Sequence, residues 1–196
     1  MERRKALKNI GLSFGYVAAT PTLFSILQSC KNEPDLDWQP SFFTEAQASM
    51  VNTITDLILP KTDNLPGAKD LNIPMFIDLS FKELLTEEEK KNIKKGAEET
   101  VVKLDNDFSE KSCDSLLASY LNAPADIQQK YLTNIRQNNF DADALIYNFL
   151  IKVRANTVWA FKESEFIGEQ VQVYEPVPGP FHGCIDWDKK IGYSLS

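Results

Sequence analysis

The sequence predicts an all-α protein, an irregular bundle of five or six helices with an extended, proline-rich C-terminal arm. Apolar residues recur at helical spacing through residues 44–165, capping residues open several of these segments, and no segment shows the alternation typical of a strand. The 196 residues suffice for one domain with its own core. We therefore divide the chain into a leader (1–29), a tether (30–43), a helical domain (44–165) and the arm (166–196).

The first two helices are predicted from the residues at their N- and C-termini. Thr44 and Gln47 have the spacing of a capping box, and the helix that they open stops at Pro60. Pro74 can serve as the first residue of a second helix, because its missing N–H is not needed in the first turn. This helix should run to about Leu85. Turn-forming residues between the two helices predict a loop.

A third helix is predicted from Thr86 to about Phe108. Thr86 is a good N-cap, and the three glutamates after it favour the positive end of the helix dipole. Lysines and glutamates along this helix pair at i,i+4 spacing, which indicates a solvent-exposed face. Gly96 in its middle lowers helix stability by about 1 kcal/mol relative to alanine.

One apolar helix dominates the second half of the domain. The pattern of residues 112–121 is short and ambiguous, whereas Pro124 predicts a helix that runs to about Gln137 and breaks at 138–139. Asp141 then caps a long helix with few polar positions, which we expect to be the central helix of the core.

The chain changes character towards its C-terminus. Pro176, Pro178 and Pro180 fix φ and remove backbone donors, so this segment should be extended with local polyproline-II character. It is also too rich in apolar residues for a disordered tail. Either the arm folds back on its own bundle or it lies against another protein, and the two arrangements are not exclusive.

The N-terminus has the features of an export signal, with a basic head and a weakly apolar stretch. Arg3 and Arg4 followed by Leu7 and Lys8 resemble a twin-arginine signal, whose pathway moves folded proteins across a membrane. The alternative is an uncleaved transmembrane anchor at 10–27, although its glycines, threonines and proline keep its hydrophobicity modest.

Cys30 is a candidate lipidation site. The four residues that end in Cys30 resemble a lipobox, in which the cysteine is acylated and becomes the mature amino terminus. Such an anchor would hold the protein on the periplasmic or cell-surface side of a membrane. In that oxidising setting Cys113 and Cys184 could pair with each other, stay reduced, or bridge to another chain.

The charge balance argues against nucleic acid as a partner. The chain has 21 basic and 28 acidic residues, and removal of the leader, which holds four of the basic and one of the acidic residues, leaves a net charge of about −10. Nucleic acids and anionic lipids bind surfaces of the opposite sign.

Candidate catalytic groups are few. The single histidine, His182, has Cys184 as its neighbouring nucleophile, and the carboxylates form no isolated pair for acid–base hydrolysis. The cysteines lack the spacing of zinc or iron–sulfur ligands. Trp38, Trp159 and Trp187 could stack on a sugar, although packing is their commoner role. We therefore expect a chain that binds another protein; a lipid-anchored ligand- or carbohydrate-binding protein and a stand-alone enzyme are the alternatives.

Two stretches of the chain together resemble a known family. One lies within residues 56–78 and includes Asp56-Leu57-Ile58-Leu59-Pro60, Pro66-Gly67-Ala68 and Ile73-Pro74-Met75-Phe76-Ile77-Asp78. The other is the tail Tyr174-Glu175-Pro176-Val177-Pro178-Gly179-Pro180-Phe181-His182-Gly183-Cys184. They resemble the opening and the closing signature of the gluconate 2-dehydrogenase subunit 3 family, in which a twin-arginine leader is also a feature.

The resemblance implies a small accessory subunit of a membrane-bound sugar or sugar-acid dehydrogenase, without a cofactor or catalytic residues of its own. The large subunit would be a separate flavoprotein of the glucose–methanol–choline type that holds FAD, performs hydride transfer and passes electrons to a cytochrome c or another acceptor. The small subunit would carry the large one across the membrane in folded form and stabilise the complex.

On this interpretation the arm docks on the large subunit, and Cys184 is a candidate for an intersubunit disulfide. The predicted interface residues share the tail signature: Tyr174, Pro176, Pro178, Gly179, Pro180, Phe181 and Cys184.

Overall fold

Residues 36–172, the part of the chain that the computed structural model describes, form six α-helices and one π-helical turn and contain no strand. The prediction of an all-α bundle is confirmed. The elements are α1 (Glu45–Ile58), α2 (Ile73–Leu84), α3 (Glu87–Lys103), α4 (Glu110–Leu121), α5 (Ala125–Arg136), α6 (Ala142–Lys162) and the π-turn (Ile167–Val171). None of these helices is long and apolar enough to cross a bilayer.

Several predicted features lie outside the described residues and stay predictions. They are the export signal with Arg3, Arg4, Leu7 and Lys8, the lipidation site Cys30, and the arm from residue 173 onward with its interface residues, His182, Cys184 and Trp187.

The predicted helix starts are accurate where a capping residue marks them. Thr44 and Gln47 exchange the two hydrogen bonds of a capping box at the start of α1. Thr86 and Glu89 form a second capping box at the start of α3. In both cases the side chains satisfy backbone N–H groups that have no partner within the helix.

The end of α3 differs from the prediction. Asp105 and Asn106 adopt left-handed φ angles of 49° and 58°. Their N–H groups donate to the carbonyls of Val102 and Val101, which is the Schellman pattern of helix termination. The predicted extension to Phe108 is therefore wrong, because an aspartate and an asparagine take the place that glycine usually has.

The ambiguous segment is helical and forms α4. The hydroxyl of Ser109 caps this helix by accepting a hydrogen bond from the N–H of Ser112. The break predicted after α5 is confirmed, because Asn138 adopts a left-handed φ of 55° just beyond the helix.

α6 is the central helix of the core, as predicted. It contacts each of the other five helices, and Phe149, Leu150 and Val153 in its middle are fully buried. The carboxylate of Asp141 caps it by accepting a hydrogen bond from the N–H of Ala144 at 2.7 Å. Removal of this apolar surface from water is the dominant favourable contribution to folding of the bundle.

Gly96 allows α3 and α6 to approach each other closely. A Cβ at this position would lie 2.5 Å from the carbonyl oxygen of Leu145 and 2.8 Å from the Cβ of Phe149. The glycine that weakens α3 as an isolated helix therefore makes its contact with the central helix possible.

Residues 36–43 belong to the folded domain, which corrects their assignment to a polar tether. Phe42 and Phe43 are buried, and their rings meet edge-on at 5.0 Å between centroids. The buried carboxylate of Asp78 accepts hydrogen bonds from the N–H groups of Ser41, Phe42 and Phe43 at 2.8, 3.0 and 2.9 Å. The sequence did not indicate that these residues are buried, because the two phenylalanines are not part of a periodic apolar pattern.

The start of the predicted arm is helical rather than extended. The N–H of Gln172 donates to the carbonyl of Ile167 at 2.8 Å and closes the π-turn. The extended conformation predicted from residue 166 is thus wrong for Ile167–Val171, because the prolines that favour it begin only at Pro176.

Candidate docking surface

A groove with a cavity volume of about 600 Å³ lies at the junction of α2 and α6. The segment that leads into α2 forms one wall, and the end of α6 with the π-turn forms the other. The lining residues are polar and apolar in similar number: Asp70, Leu71, Asn72, Ile73, Phe76, Trp159, Ala160, Glu163, Ser164, Glu165, Phe166, Glu169 and Gln170. Its volume is in the range of clefts that bind small molecules.

A tight loop positions the first wall. The carbonyl of Leu59 accepts a hydrogen bond from the N–H of Ala68 at 2.9 Å, which closes the loop between α1 and α2. A Cβ at Gly67 would lie 2.7 Å from the backbone nitrogen of Lys61 and 3.2 Å from the carbonyl oxygen of Leu59. Glycine is therefore required where the two ends of the loop cross.

Asp70 stabilises the same loop and presents a carboxylate to the groove. It accepts hydrogen bonds from the N–H of Gly67 at 2.9 Å and from Nζ of Lys61 at 3.0 Å. The backbone donor first, and the lysine second, lower the pKa of Asp70 below its ordinary value. This side chain is therefore ionised at neutral pH.

α2 begins at Ile73, one residue before the proline predicted to open it. Asn72 precedes the helix with a left-handed φ of 53°, and the N–H of Ile73 donates to the carbonyl of Ala68 at 3.0 Å. Pro74 fits in the first turn because an N–H at this position has no acceptor within the helix. This start places Phe76 on the groove.

Among residues 36–172, Trp159 is the largest of the exposed apolar side chains. It is 49% exposed, and its ring lies 5.5 Å from that of Phe76 between centroids, with the planes tilted by 42°. Met75 and Leu79 on α2 and Val158 on α6 are also exposed. An exposed tryptophan held by a second ring is typical of protein binding surfaces.

The second wall begins where α6 ends. The hydroxyl of Ser164 donates to the carbonyl of Phe161 at 2.7 Å, and the chain turns here into the π-turn. Glu163, Glu165 and Glu169 are exposed and line the groove from this side.

The groove is acidic. Together with Asp70, these glutamates give it four carboxylates, and its described lining includes no lysine or arginine. Carboxylates beside the Trp159 and Phe76 rings suit a positively charged group that also needs an aromatic surface. The chemistry that this arrangement supports is recognition of a cation, because carboxylates and the faces of aromatic rings both attract positive charge.

The two described tryptophans of the sequence prediction have different environments. Trp38 is partly buried against the hydrophobic core, whereas Trp159 lines the groove. Only Trp159 of this pair therefore offers a face to a ligand or a partner.

Cys113 lies buried in α4. Burial, with a smaller effect from the nearby Asp107 carboxylate, raises the pKa of the thiol to about 11. The side chain is therefore a protonated, unreactive thiol at neutral pH. Within residues 36–172 no three potential metal ligands form a cluster.

Sequence reasoning missed the groove and the buried Asp78. Asp70 and Asp78 lie in or beside the stretches that resemble a family, but each is held by backbone N–H groups, which leave no pattern in the sequence. Glu163 and Glu165 were visible as two acidic residues, but their position opposite Asp70 depends on the tertiary fold.

The sequence model of one protein family, described as gluconate 2-dehydrogenase subunit 3, matches residues 45–179. The matched span covers more than half of the chain and includes all six α-helices and the groove. No curated protein and no solved structure gives a significant match.

Proposed function

This chain belongs to the gluconate 2-dehydrogenase subunit 3 family, and we propose that it is the non-catalytic small subunit of a flavin-dependent sugar or sugar-acid dehydrogenase. In this role it escorts, exports and stabilises the large subunit. The observation that carries the proposal is the family match across the whole helical bundle. The exposed, aromatic groove supports it, because such surfaces commonly bind other proteins.

The redox chemistry is assigned to the partner. We propose that the large subunit is a flavoprotein of the glucose–methanol–choline type that holds FAD, with a cytochrome c as a candidate acceptor. Two ionisable side chains of the small subunit have structural roles: Cys113 is a buried thiol, and Tyr120 donates a hydrogen bond to Asp143 at 2.7 Å. Burial first, and Asp143 second, raise the pKa of Tyr120. Both side chains therefore serve the fold of the bundle.

The leader supports export of a folded complex. A flavoprotein must load FAD in the cytoplasm, so it needs a route for folded cargo, and a twin-arginine signal at Arg3 and Arg4 of one subunit can serve both. A lipidated Cys30 would then anchor the complex on the periplasmic or cell-surface side of the membrane.

The arm is a second proposed contact with the large subunit. Tyr174, the first residue of the tail signature, follows Gln170 of the groove by four residues, so the two are close in sequence. An intersubunit disulfide at Cys184 would lock this contact. If it forms, Cys184→Ser will abolish a high-mass band in non-reducing electrophoresis.

Co-purification tests the proposal. Affinity purification of the detergent-solubilised protein from its own cells should bring down a flavoprotein with the absorption spectrum of bound flavin. Deletion of Glu175 to Ser196 should release this partner, and retained binding would refute docking of the arm on it. Recovery of the intact small subunit without any flavoprotein would contradict the proposed function.

A lipid-anchored carbohydrate-binding protein is the second candidate. The half-exposed Trp159 among carboxylates favours it, because sugars stack on aromatic rings and donate hydrogen bonds to carboxylates. Glycan-array binding by the isolated protein, lost in Trp159→Ala, would support this function. Absence of binding would eliminate it.

A further inference from the structure

We infer that the groove between α2 and the end of α6 binds a positively charged segment of the large subunit, with an arginine or lysine side chain seated over Trp159. The inference rests on the proposed function and names the surface and the chemistry of the contact. It differs from the arm contact, because every residue that carries it lies within the described bundle.

The negative charge of the groove favours an occupant with positive charge. Asp70, Glu163, Glu165 and Glu169 line it, and its described lining contains no basic side chain. Asp70 is paired with Lys61, while the other three form no ion pair within residues 36–172. A cationic segment would relieve the mutual repulsion of these carboxylates, whereas an acidic one would increase it.

The rings of Trp159 and Phe76 favour a flat cationic group. The Trp159 ring is 49% exposed and is supported by Phe76 at 5.5 Å. A guanidinium or ammonium group over an indole face gains attraction from the ring electrons, and tryptophan is the best of the aromatic side chains for this contact. A flat guanidinium can at the same time donate hydrogen bonds to two carboxylate oxygens.

The groove is preformed in the small subunit. Gly67 and Lys61 hold the Asp70 carboxylate by two hydrogen bonds, and Ser164 fixes the turn that carries the glutamates. Little ordering is then needed on binding, so the interaction is less opposed by lost conformational entropy. Exposed Met75, Leu79 and Val158 offer apolar contact area around it.

Charge disfavours two other candidate occupants, the C-terminal arm and a second copy of this chain. The chain beyond residue 172 carries three acidic residues (Glu175, Asp186, Asp188) and two lysines (Lys189, Lys190), so it is not a cationic segment overall. A second copy of this chain has a net charge of −7 and would bring more acidic surface to an acidic groove.

Binding measurements with full-length chains test the inference. The small subunit and its flavoprotein are purified separately in detergent, and their Kd is measured for wild type, Trp159→Ala and the double variant Glu163→Lys/Glu165→Lys. We expect both variants to raise the Kd by at least about tenfold. Matched changes away from the groove, Val102→Ala and Glu98→Lys on the exposed face of α3, should stay within about twofold of wild type.

The dependence of binding on ionic strength measures the contribution of charge independently. Raising the salt concentration from about 50 to about 500 mM should weaken wild-type binding more than binding by Glu163→Gln/Glu165→Gln. Circular dichroism of each variant separates loss of contact from loss of fold.

Each outcome decides the inference. If the wild-type small subunit binds the flavoprotein and the groove variants bind it with the same Kd, the inference is overturned and the proposed function stays intact. Failure of wild type to bind any flavoprotein would overturn both.

Fluorescence quenching tests whether the arm or a second copy fills the groove instead. With Trp38 and Trp187 replaced by phenylalanine, acrylamide should quench Trp159 equally in the whole chain and in a chain ending at residue 172. Stronger quenching after truncation would show that the arm fills the groove, and dissociation of a dimer by Trp159→Ala would show a second copy there; either result would overturn the inference.

Discussion

Asp78 illustrates how one buried carboxylate decides where the folded domain begins. Its two oxygens satisfy the N–H groups of Ser41, Phe42 and Phe43 and also the hydroxyl of Ser41. Hydrogen bonds to an ionised acceptor are roughly twice as strong as bonds between neutral groups. The donors lie 35 to 37 residues from the acceptor in sequence, so no local pattern could have predicted this contact.

Replacing Asp78 by asparagine should lower the free energy of unfolding by about 2–4 kcal/mol, because an amide NH₂ would face buried N–H donors and leave them unsatisfied. Urea denaturation followed by circular dichroism measures the change. Ser41→Ala removes one donor from an exposed side chain and should cost about 1 kcal/mol or less. Equal stability of Asp78→Asn and wild type would refute the structural role of this carboxylate.

The thiol of Cys113 should resist labelling in the folded protein. Its pKa of about 11 leaves almost no thiolate at pH 8, and burial blocks the reagent. In a Cys30→Ser/Cys184→Ser background, we expect an Ellman's reagent signal only after urea is added. Because the folded pKa is raised, the associated stability is present below pH 9 and is lost as the pH rises towards 11. Rapid labelling without urea would contradict this environment.

At the scale of elements, the sequence predicted where helices start better than where they end. Thr44 and Thr86 have side chains that accept backbone hydrogen bonds, so composition alone indicates a cap. The end of α3 depends on Asp105 and Asn106 in left-handed conformations, which these residues tolerate without requiring. The resulting error was five residues of helix, because no proline or glycine marks the stop.

Gly96→Ala should destabilise the bundle by about 1–3 kcal/mol. The added methyl group would lie 2.5 Å from the carbonyl oxygen of Leu145. Because this oxygen belongs to the backbone of a helix, it can shift only if the helix itself moves. This cost exceeds the gain of about 1 kcal/mol in helix propensity. Thermal unfolding checks the prediction.

Gly168→Ala is the matched control. A Cβ at Gly168 meets nothing within 4 Å, so this change should leave stability unchanged or slightly raise it. If both alanine variants unfold at the same temperature as wild type, close approach of α3 to α6 does not require glycine.

At the scale of the whole molecule, the fold class was predictable but the binding surface was not. Helical periodicity and caps indicate an all-α bundle, and the residues around Pro66 and Gly67 indicate a loop. The groove needs α2 and α6 to come together so that Trp159 meets Phe76, which lies 83 residues away in sequence. The tail signature beyond residue 172 pointed to the family, and the groove adds a second candidate contact on the bundle itself.

The most direct test of the proposed escort role is the location of the flavoprotein in cells that express an Arg3→Lys/Arg4→Lys small subunit. We predict that the flavoprotein and its flavin stay in the cytoplasmic fraction, whereas Arg136→Lys/Arg154→Lys, which makes the same exchange in the folded domain, leaves export unchanged. Export of the flavoprotein at wild-type levels without the paired arginines would contradict the account.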